Sequence, residues 1–306
     1  MAKRRTNWNG SFPALMTPFT RDGALDERML RANVELAIAE GVHGVIICGH
    51  NGEAHVMSRE ERRRVAEIGV EVVNGRVPVV IGTGAIRTED VIDYTRDAKA
   101  VGADGAMIEA PYFLTPQKAD VTEHYVHISE KVDLPVMMYN NPKRAGVDMD
   151  PEQVSEIADK ANVVAIKDSK FDYERIVDLV HTAGDRIQIF VGPARVFGFQ
   201  GIQMGAHGFV DELQQLMGRD GTLLYDYAKA NDAARGIPIQ HQAFRLHKVL
   251  MRAAGSYPAT IKDAMRLMSR PGGYSRRPLR AMEGAALKRF ADDLRAIGLL
   301  AKDAAE

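Results

Sequence analysis

The sequence predicts an α/β fold: a (β/α)8 TIM barrel followed by a carboxyl-terminal helical extension. Three observations predict it. Eight short apolar runs rich in β-branched residues recur through the first two-thirds of the chain. Stretches with helix-start chemistry lie between them, which implies right-handed βαβ units and a parallel sheet. Eight is also the count that closes a barrel, and no Gly-x-Gly-x-x-Gly turn marks a doubly wound open sheet.

In order, the runs cover residues 12–16, 44–48, 77–82, 105–109, 134–139, 163–167, 187–191 and 208–210. Runs apolar on both faces are what a buried parallel sheet requires. Between them, Asp26 precedes a helical pattern, Ser58-Arg59-Glu60-Glu61 has the form of a capping box, and Thr88 precedes Glu89-Asp90. Asp150-Pro151 puts proline at the first helical position. Glu40-Gly41-Val42-His43-Gly44, Val101-Gly102-Ala103-Asp104-Gly105 and Met204-Gly205-Ala206-His207-Gly208 repeat one connector. Its first glycine can end a helix in the left-handed conformation and its second opens the next strand, so His43 and His207 are read as connector residues. Beyond about residue 225 the strands stop, and 225–231, 240–254 and 284–297 read as helices, punctuated by Pro271, Gly272-Gly273 and Pro278. The division is a catalytic barrel over 1–228 and a helical domain over 229–306, expected to pack on the barrel and serve assembly. Met251, Met265 and Met268 are expected in its core.

Composition excludes several function classes. A net charge of -1 over 306 residues gives no field for nucleic acid or an acidic membrane. The basic start, Met1 to Trp8, leads into no apolar segment and is not read as a secretory signal, and no apolar run approaches a membrane span. The single cysteine, Cys48, lies in an apolar run and is expected as a small buried hydrophobe. These features fit a cytoplasmic protein.

In a barrel, functional groups gather at the carboxyl ends of the strands. The sixth run, Val163-Val164-Ala165-Ile166-Lys167, ends abruptly on a lysine. Desolvation at such a rim disfavours an ammonium, which is one way to make a nucleophilic amine; the plainer reading is a strand end whose lysine snorkels to water. Tyr139 ends the fifth run at the equivalent position, so the two side chains can converge on one atom across neighbouring strands. Amine and phenol together suit imine chemistry: the amine attacks a carbonyl while the phenol moves protons. Arg144, just beyond, offers a bidentate fork for a carboxylate, or else a surface ion pair. The turn Gly49-His50-Asn51-Gly52 can present backbone amides to an anion, and His50 could titrate near neutrality. Tyr112, Phe113, Gly192 and Val210, at the ends of runs four, seven and eight, complete the substrate-facing candidates. Glu53 is read as a brace for its turn, and His50, Glu53 and His55 match no zinc spacing. Gly82-Thr83-Gly84 is at most a weak phosphate cradle, and Arg62-Arg63-Arg64 is read as a solvated helix face.

The segments Gly49-His50-Asn51-Gly52-Glu53, Tyr139-Asn140-Asn141-Pro142 and Lys167-Asp168-Ser169 resemble, in order and separation, the marks of the dihydrodipicolinate synthase / N-acetylneuraminate lyase family of Schiff-base aldolases. The resemblance runs from about Asn9 to the carboxyl terminus. It implies that Lys167 forms the imine, that Tyr139 is the general acid/base, and that the Gly49 turn receives the carboxylate of pyruvate or a related 2-oxo acid. It also implies a homotetramer, a dimer of dimers, with no metal or separate cofactor. Two departures stand out. Dihydrodipicolinate synthases typically carry Thr-Thr where this chain has His50-Asn51, and an interface-crossing tyrosine where it has Phe113, so two of three members of their hydroxyl relay lack a hydroxyl here. Arg144 matches the arginine those synthases use for the second substrate. His50-Asn51 and Lys167-Asp168-Ser169 look more like branches acting on 4-hydroxy-2-oxoglutarate or 2-keto-3-deoxy sugar acids. The expectation is a class I lyase acting on a 2-oxo acid. The alternatives are 4-hydroxy-tetrahydrodipicolinate synthesis, an imine-forming dehydratase or deaminase, and a non-catalytic 2-oxo acid sensor.

Overall fold

The computed structural model describes residues 6–301; the basic residues 1–5 of the amino-terminal start lie outside the described residues. Eight parallel strands form one sheet: β1 (Gly10–Pro13), β2 (Val45–Ile47), β3 (Val79–Gly82), β4 (Gly105–Glu109), β5 (Val136–Asn140), β6 (Val163–Asp168), β7 (Gln188–Val191) and β8 (Gly208–Asp211). Each predicted run holds one strand, with ends shifted by a few residues. The order is β1-β8-β7-β6-β5-β4-β3-β2. A bridge between Ala14 and Ile46 closes the remaining seam, where the Leu15 N–H donates to the Ile46 carbonyl at 2.9 Å. The fold is therefore a (β/α)8 barrel with carboxyl-terminal helices.

Alternation along the strands sorts side chains into two layers. Phe12, Ile46, Val80, Met107, Met137 and Phe190 fill the barrel, while Ile47, Val79, Ile108, Met138 and Ile166 pack outward against the helices. The helix starts follow the local chemistry. Asp26 accepts from the Met29 N–H at 2.9 Å, Asp150 accepts from the Gln153 N–H at 2.9 Å ahead of Pro151, and Ser58 and Glu61 close their capping box in both directions. Thr88 opens its helix without capping it; its hydroxyl bonds His124 instead.

The repeated connector has a job for every residue. Its first glycines, Gly41, Gly102 and Gly205, take φ values of +82°, +90° and +100°. A methyl on the second would collide with the barrel interior, 2.2 Å from Phe12 at Gly44 and 2.3 Å from the Gly10 carbonyl oxygen at Gly208. The residue between them accepts a hydrogen bond from the backbone of the neighbouring strand: Ser11 to His43 at 3.3 Å, Val79 to Asp104 at 2.8 Å, Ile189 to His207 at 3.1 Å. The two histidines serve the sheet.

One irregularity decides where the lysine points. Val136 pairs with Val163, but Met137 pairs with Ala165, so β6 carries one extra residue. Val163 faces the helices, and strict alternation from it would send Lys167 outward as well. The bulge lets both Val164 and Ala165 join the interior, after which Ile166 faces out and Lys167 in.

The helices Ala233–Arg252, Tyr257–Leu267 and Gly284–Ala296 share one apolar cluster with the last βα units, where Val191 and Phe209 meet Leu246, Ile261 and Phe290. Three elements differ from expectation. The helix Arg219–Lys229 begins before residue 225, and Ala233–Arg252 begins before Pro238, which it holds inside. Tyr257–Leu267 was not expected; Pro258 sits in its first turn, where the missing N–H has no intrahelical role. No helix among the described residues is long and apolar enough to cross a membrane.

The two glycines of a connector are predicted to fail differently. Gly41→Ala meets no neighbour, so only the left-handed backbone opposes it, at about 1–2 kcal/mol. Gly208→Ala drives a methyl into backbone and should cost about 3 kcal/mol, the upper end for overpacking. Urea midpoints should rank wild type, then Gly41→Ala, then Gly208→Ala; the reverse order of the variants would contradict this assignment.

Candidate active site

At the carboxyl ends of the strands, register brings three ionisable side chains side by side. Glu109 on β4 pairs with Tyr139 on β5, and Tyr139 pairs with Lys167 on β6. The Lys167 Nζ lies 4.0 Å from the centroid of the Tyr139 ring. The Tyr139 hydroxyl accepts a hydrogen bond from Asn141 Nδ2 at 2.8 Å, which leaves its own proton free to be given elsewhere. Both Tyr139 and Lys167 are buried.

The residues that follow them face the other side of the sheet and lock the pair. Asn140 donates from Nδ2 to Asp168 at 2.8 Å and to Asp148 at 3.1 Å, and Arg175 approaches Asp168 at 3.3 Å. Burial raises the pKa of Asp168 against the pull of Asn140 and Arg175.

A cavity of about 380 Å³ opens above Lys167, lined by His50, Asn51, Tyr139, Arg144, Val210 and Tyr257 among others. A second, of about 420 Å³, shares the wall formed by His50, Tyr139, Asn141, Lys143 and Arg144 and adds His55, Glu109 and Tyr112. Arg144 is exposed on the short helix Pro142–Ala145, and no carboxylate stands within ion-pair distance of it among the described residues. Glu109 lies at the base of the second cavity, where burial pushes its carboxyl above the ordinary range against the pull of Lys167, Arg62 and Arg144.

The turn after β2 is strained and pinned. Cys48 and Glu53 both take φ of +55°, and the Glu53 N–H closes the turn on the His50 carbonyl at 3.1 Å. The Glu53 carboxylate meets Lys262 Nζ at 2.5 Å and accepts the Arg276 N–H at 3.0 Å, the bracing role the sequence suggests. Burial lowers the Lys262 pKa to about 8, against the pull of Glu53. Burial, then Arg144, His55 and Lys167, push His50 down to about 3, so its ring is neutral rather than titrating near neutrality. Cys48 is buried, as expected of a small hydrophobe.

With Lys167, Tyr139 and the pinned turn around one cavity, the kinship can be stated. The dihydrodipicolinate synthetase family model matches residues 7–297. The chain belongs to that family. An "Uncharacterized DapA-like lyase" from Rhizobium meliloti is 34% identical over 296 residues, 97% of this chain and 98% of the relative. A 4-hydroxy-tetrahydrodipicolinate synthase from Pelobacter propionicus is 34% identical over 298 residues, 96% of this chain and 100% of the relative. Among solved structures, YagE of E. coli K12 in complex with pyruvate is 26% identical with a TM-score of 0.90, over 95% of this chain and 99% of that one. The Acinetobacter baumannii dihydrodipicolinate synthase complexed with pyruvate is 28% identical with a TM-score of 0.89, over 96% and 100%. The chain is a lyase of the dihydrodipicolinate synthetase family.

Not every candidate reaches the cavities of this family member. Phe113 takes φ of +73° and is 87% exposed, away from both. Gly192 contributes space: a methyl there would stand 3.4 Å from Lys167 Cε and 2.4 Å from Ser169 Oγ. The Asn51 side chain donates one of its N–H groups to Glu212 at 3.2 Å. Two expectations are corrected. Met251 is 50% exposed and lines the first cavity; its helix carries it to the barrel mouth rather than into a core. Arg62 is buried, donating to the carbonyls of Gly82 at 3.0 Å and Gly84 at 3.3 Å and stacking on Tyr94 at 4.0 Å; the β3 exit thus presents carbonyls to a cation.

Sequence reasoning also missed a buried charge cluster. Arg195, after β7, binds Asp211, the last residue of β8, at 3.0 Å and Glu212 just beyond it at 2.6 Å, and the Tyr257 hydroxyl donates to Glu212. Burial raises the Glu212 pKa, with Arg195 pulling it back. The adjacent carboxylates Asp211-Glu212 at a strand end were the available signal.

The ion pair that pins the turn gives a test. Lys262→Met leaves the Glu53 carboxylate buried without its cation, and should cost about 3–5 kcal/mol. Adding Glu53→Gln removes the orphan charge and should restore much of that loss in urea unfolding. An additive double mutant would show that the pair does not act as a unit.

Proposed function

We propose that this lyase works through a covalent imine between Lys167 and a 2-oxo acid, pyruvate or a longer acid that releases it. The observation that carries this reading is the Lys167 Nζ set 4.0 Å from the Tyr139 ring centroid at the base of a cavity of about 380 Å³. The pyruvate complexes of YagE and of the A. baumannii synthase support it.

The substrate carboxylate rests on backbone amides of the turn through Gly49, His50 and Asn51. The neutral lysine amine adds to the 2-oxo carbon, and the carbonyl oxygen leaves as water with protons delivered by Tyr139. The resulting iminium draws electrons from the neighbouring carbon, so the bond between C3 and C4 can break to an enamine and an aldehyde, or form in reverse. Arg144 is the unpaired cation at the mouth and takes a distal anionic group. A distal carboxylate suits a 4-hydroxy-2-oxoglutarate-like acid, while the resemblance of His50-Asn51 and Lys167-Asp168-Ser169 to the 2-keto-3-deoxy sugar acid branches keeps those neutral-tailed acids in the same leading reading. The second reading is 4-hydroxy-tetrahydrodipicolinate synthesis from pyruvate and aspartate semialdehyde, favoured by relatives of that name at 34% identity.

A panel of 2-oxo acids assayed for pyruvate release separates the two. The leading reading expects release from at least one 4-hydroxy-2-oxo acid, abolished by Lys167→Ala. Arg144→Ala should raise KM for a substrate with a distal carboxylate about 10- to 100-fold, the worth of a charge-assisted hydrogen bond, and change KM for a neutral-tailed one far less. Condensation with aspartate semialdehyde and no release from any panel member would establish the second reading.

A further inference from the structure

Three rings stand in file from the first cavity, along the wall of the second, to an open surface groove. His50 lines both cavities beside Tyr139. Its Nδ1 lies 3.2 Å from His55 Nε2, and His55 Nδ1 lies 3.4 Å from the Tyr112 hydroxyl. His50 Nε2, the inner end, has no hydrogen-bond partner among the described residues. At the outer end, His55 and Tyr112 line an open surface groove with Ile86 and Arg87.

The backbone sets this arrangement. Glu53, left-handed and anchored by Lys262, sends the chain into the short 3-10 turn Ala54–Val56, which brings His55 back against His50 with ring centroids 5.3 Å apart. Tyr112, beyond β4, meets His55 edge-on at 5.6 Å.

Nitrogen bookkeeping shows what such a file can do. A neutral imidazole carries one N–H and one lone pair. Burial first, then Arg144, His55 and Lys167, lowers the pKa of His50, and desolvation first, then Arg62 and Arg144, lowers that of His55. Two polarities are then self-consistent. In one, Tyr112 donates to His55, His55 donates to His50, and His50 Nε2 carries its proton inward. In the other every bond is reversed, and His50 Nε2 offers a lone pair.

We propose that His50, His55 and Tyr112 form a proton wire within one chain, connecting the reacting end of the cavity with water. A proton accepted at His50 Nε2 releases the one on His50 Nδ1 to His55 Nε2. His55 passes its Nδ1 proton to the Tyr112 oxygen, and Tyr112 gives its hydroxyl proton to water. One proton enters, one leaves, the rings end neutral, and only the polarity has changed. The wire rests on the imine reading, because turning an iminium into an enamine removes a proton from C3 that must reach solvent from a buried site.

The test uses pyruvate alone. Loss of deuterium from the methyl group of trideuterated pyruvate in ordinary water, followed by proton NMR, reports enamine formation without a second substrate. His55→Gln keeps a polar side chain that cannot relay, and should slow the loss at least about 10-fold, the low end of general acid–base effects being about 100-fold. Borohydride should still trap the pyruvate adduct in that variant. His55→Ala should be slowed too and should recover with added imidazole, which a merely structural role would not allow; Tyr112→Phe should slow the loss as well. Wild-type exchange in His55→Gln, or a loss in His55→Ala that imidazole does not recover, overturns the wire. Neither adduct nor exchange in the wild-type protein removes the imine reading, and the wire falls with it.

Discussion

The site depends on the register of β6 against β5. A strand's side chains alternate, so a shift of one residue turns every side chain to the other face. Lys167 enters the barrel because β6 carries one more residue than β5 between their first two pairings. With that bulge, Lys167 stands beside Tyr139 and Glu109 stands on the other side of it. Without it, the lysine would face the helical layer and its partner would stand alone over the cavity. Asn140 and Asp168, one residue further along each strand, then fasten the two strands by a buried hydrogen bond of 2.8 Å. Candidate catalytic residues and fastening residues therefore alternate along the same two segments, and moving one set moves the other.

The helical extension completes what the barrel begins. Lys262 reaches from the helix Tyr257–Leu267 to Glu53, and Arg276 adds a backbone donor to the same carboxylate. Tyr257 reaches Glu212, whose other oxygen receives Asn51. Both sides of the turn that carries His50 and Asn51 are thus held by residues remote in the chain. Buried ion pairs contribute little net stability when desolvation is counted, so their value here is positional. They hold a turn containing two non-glycine residues at positive φ, a conformation that persists only where the surroundings over-determine it.

The fold was legible in the sequence because a parallel strand is buried on both faces and leaves an unbroken apolar run. The Lys167 and Tyr139 pairing was legible for the same reason: both close such runs. The bulge was not, since an extra valine in Val163-Val164-Ala165 looks like any other apolar residue. Charges were the commoner source of error. Asp211 and Glu212 went unread because their counter-ion, Arg195, lies sixteen or seventeen residues earlier. Arg62 read as solvated in a run of three arginines, although its spacing to Val65, Ala66 and Gly69 places it on the buried stripe of its helix. The helix read as starting at residue 240 begins at Ala233 and holds Pro238 inside it, and the helix with Pro258 in its first turn went unread. Substrate choice was the least legible feature, because Glu109 and His55 reach one cavity and Arg195 the other only when the barrel closes.

The proposed function rests on a single covalent step on one amine. Reduction with borohydride in the presence of pyruvate, followed by digestion and mass spectrometry, tests it most directly. The peptide holding Lys167 should gain the mass of a reduced pyruvyl group, and Lys167→Ala protein should gain none. An unmodified Lys167 peptide from protein that turns over a 2-oxo acid, or the adduct on a neighbour such as Lys143 or Lys170, would contradict the account.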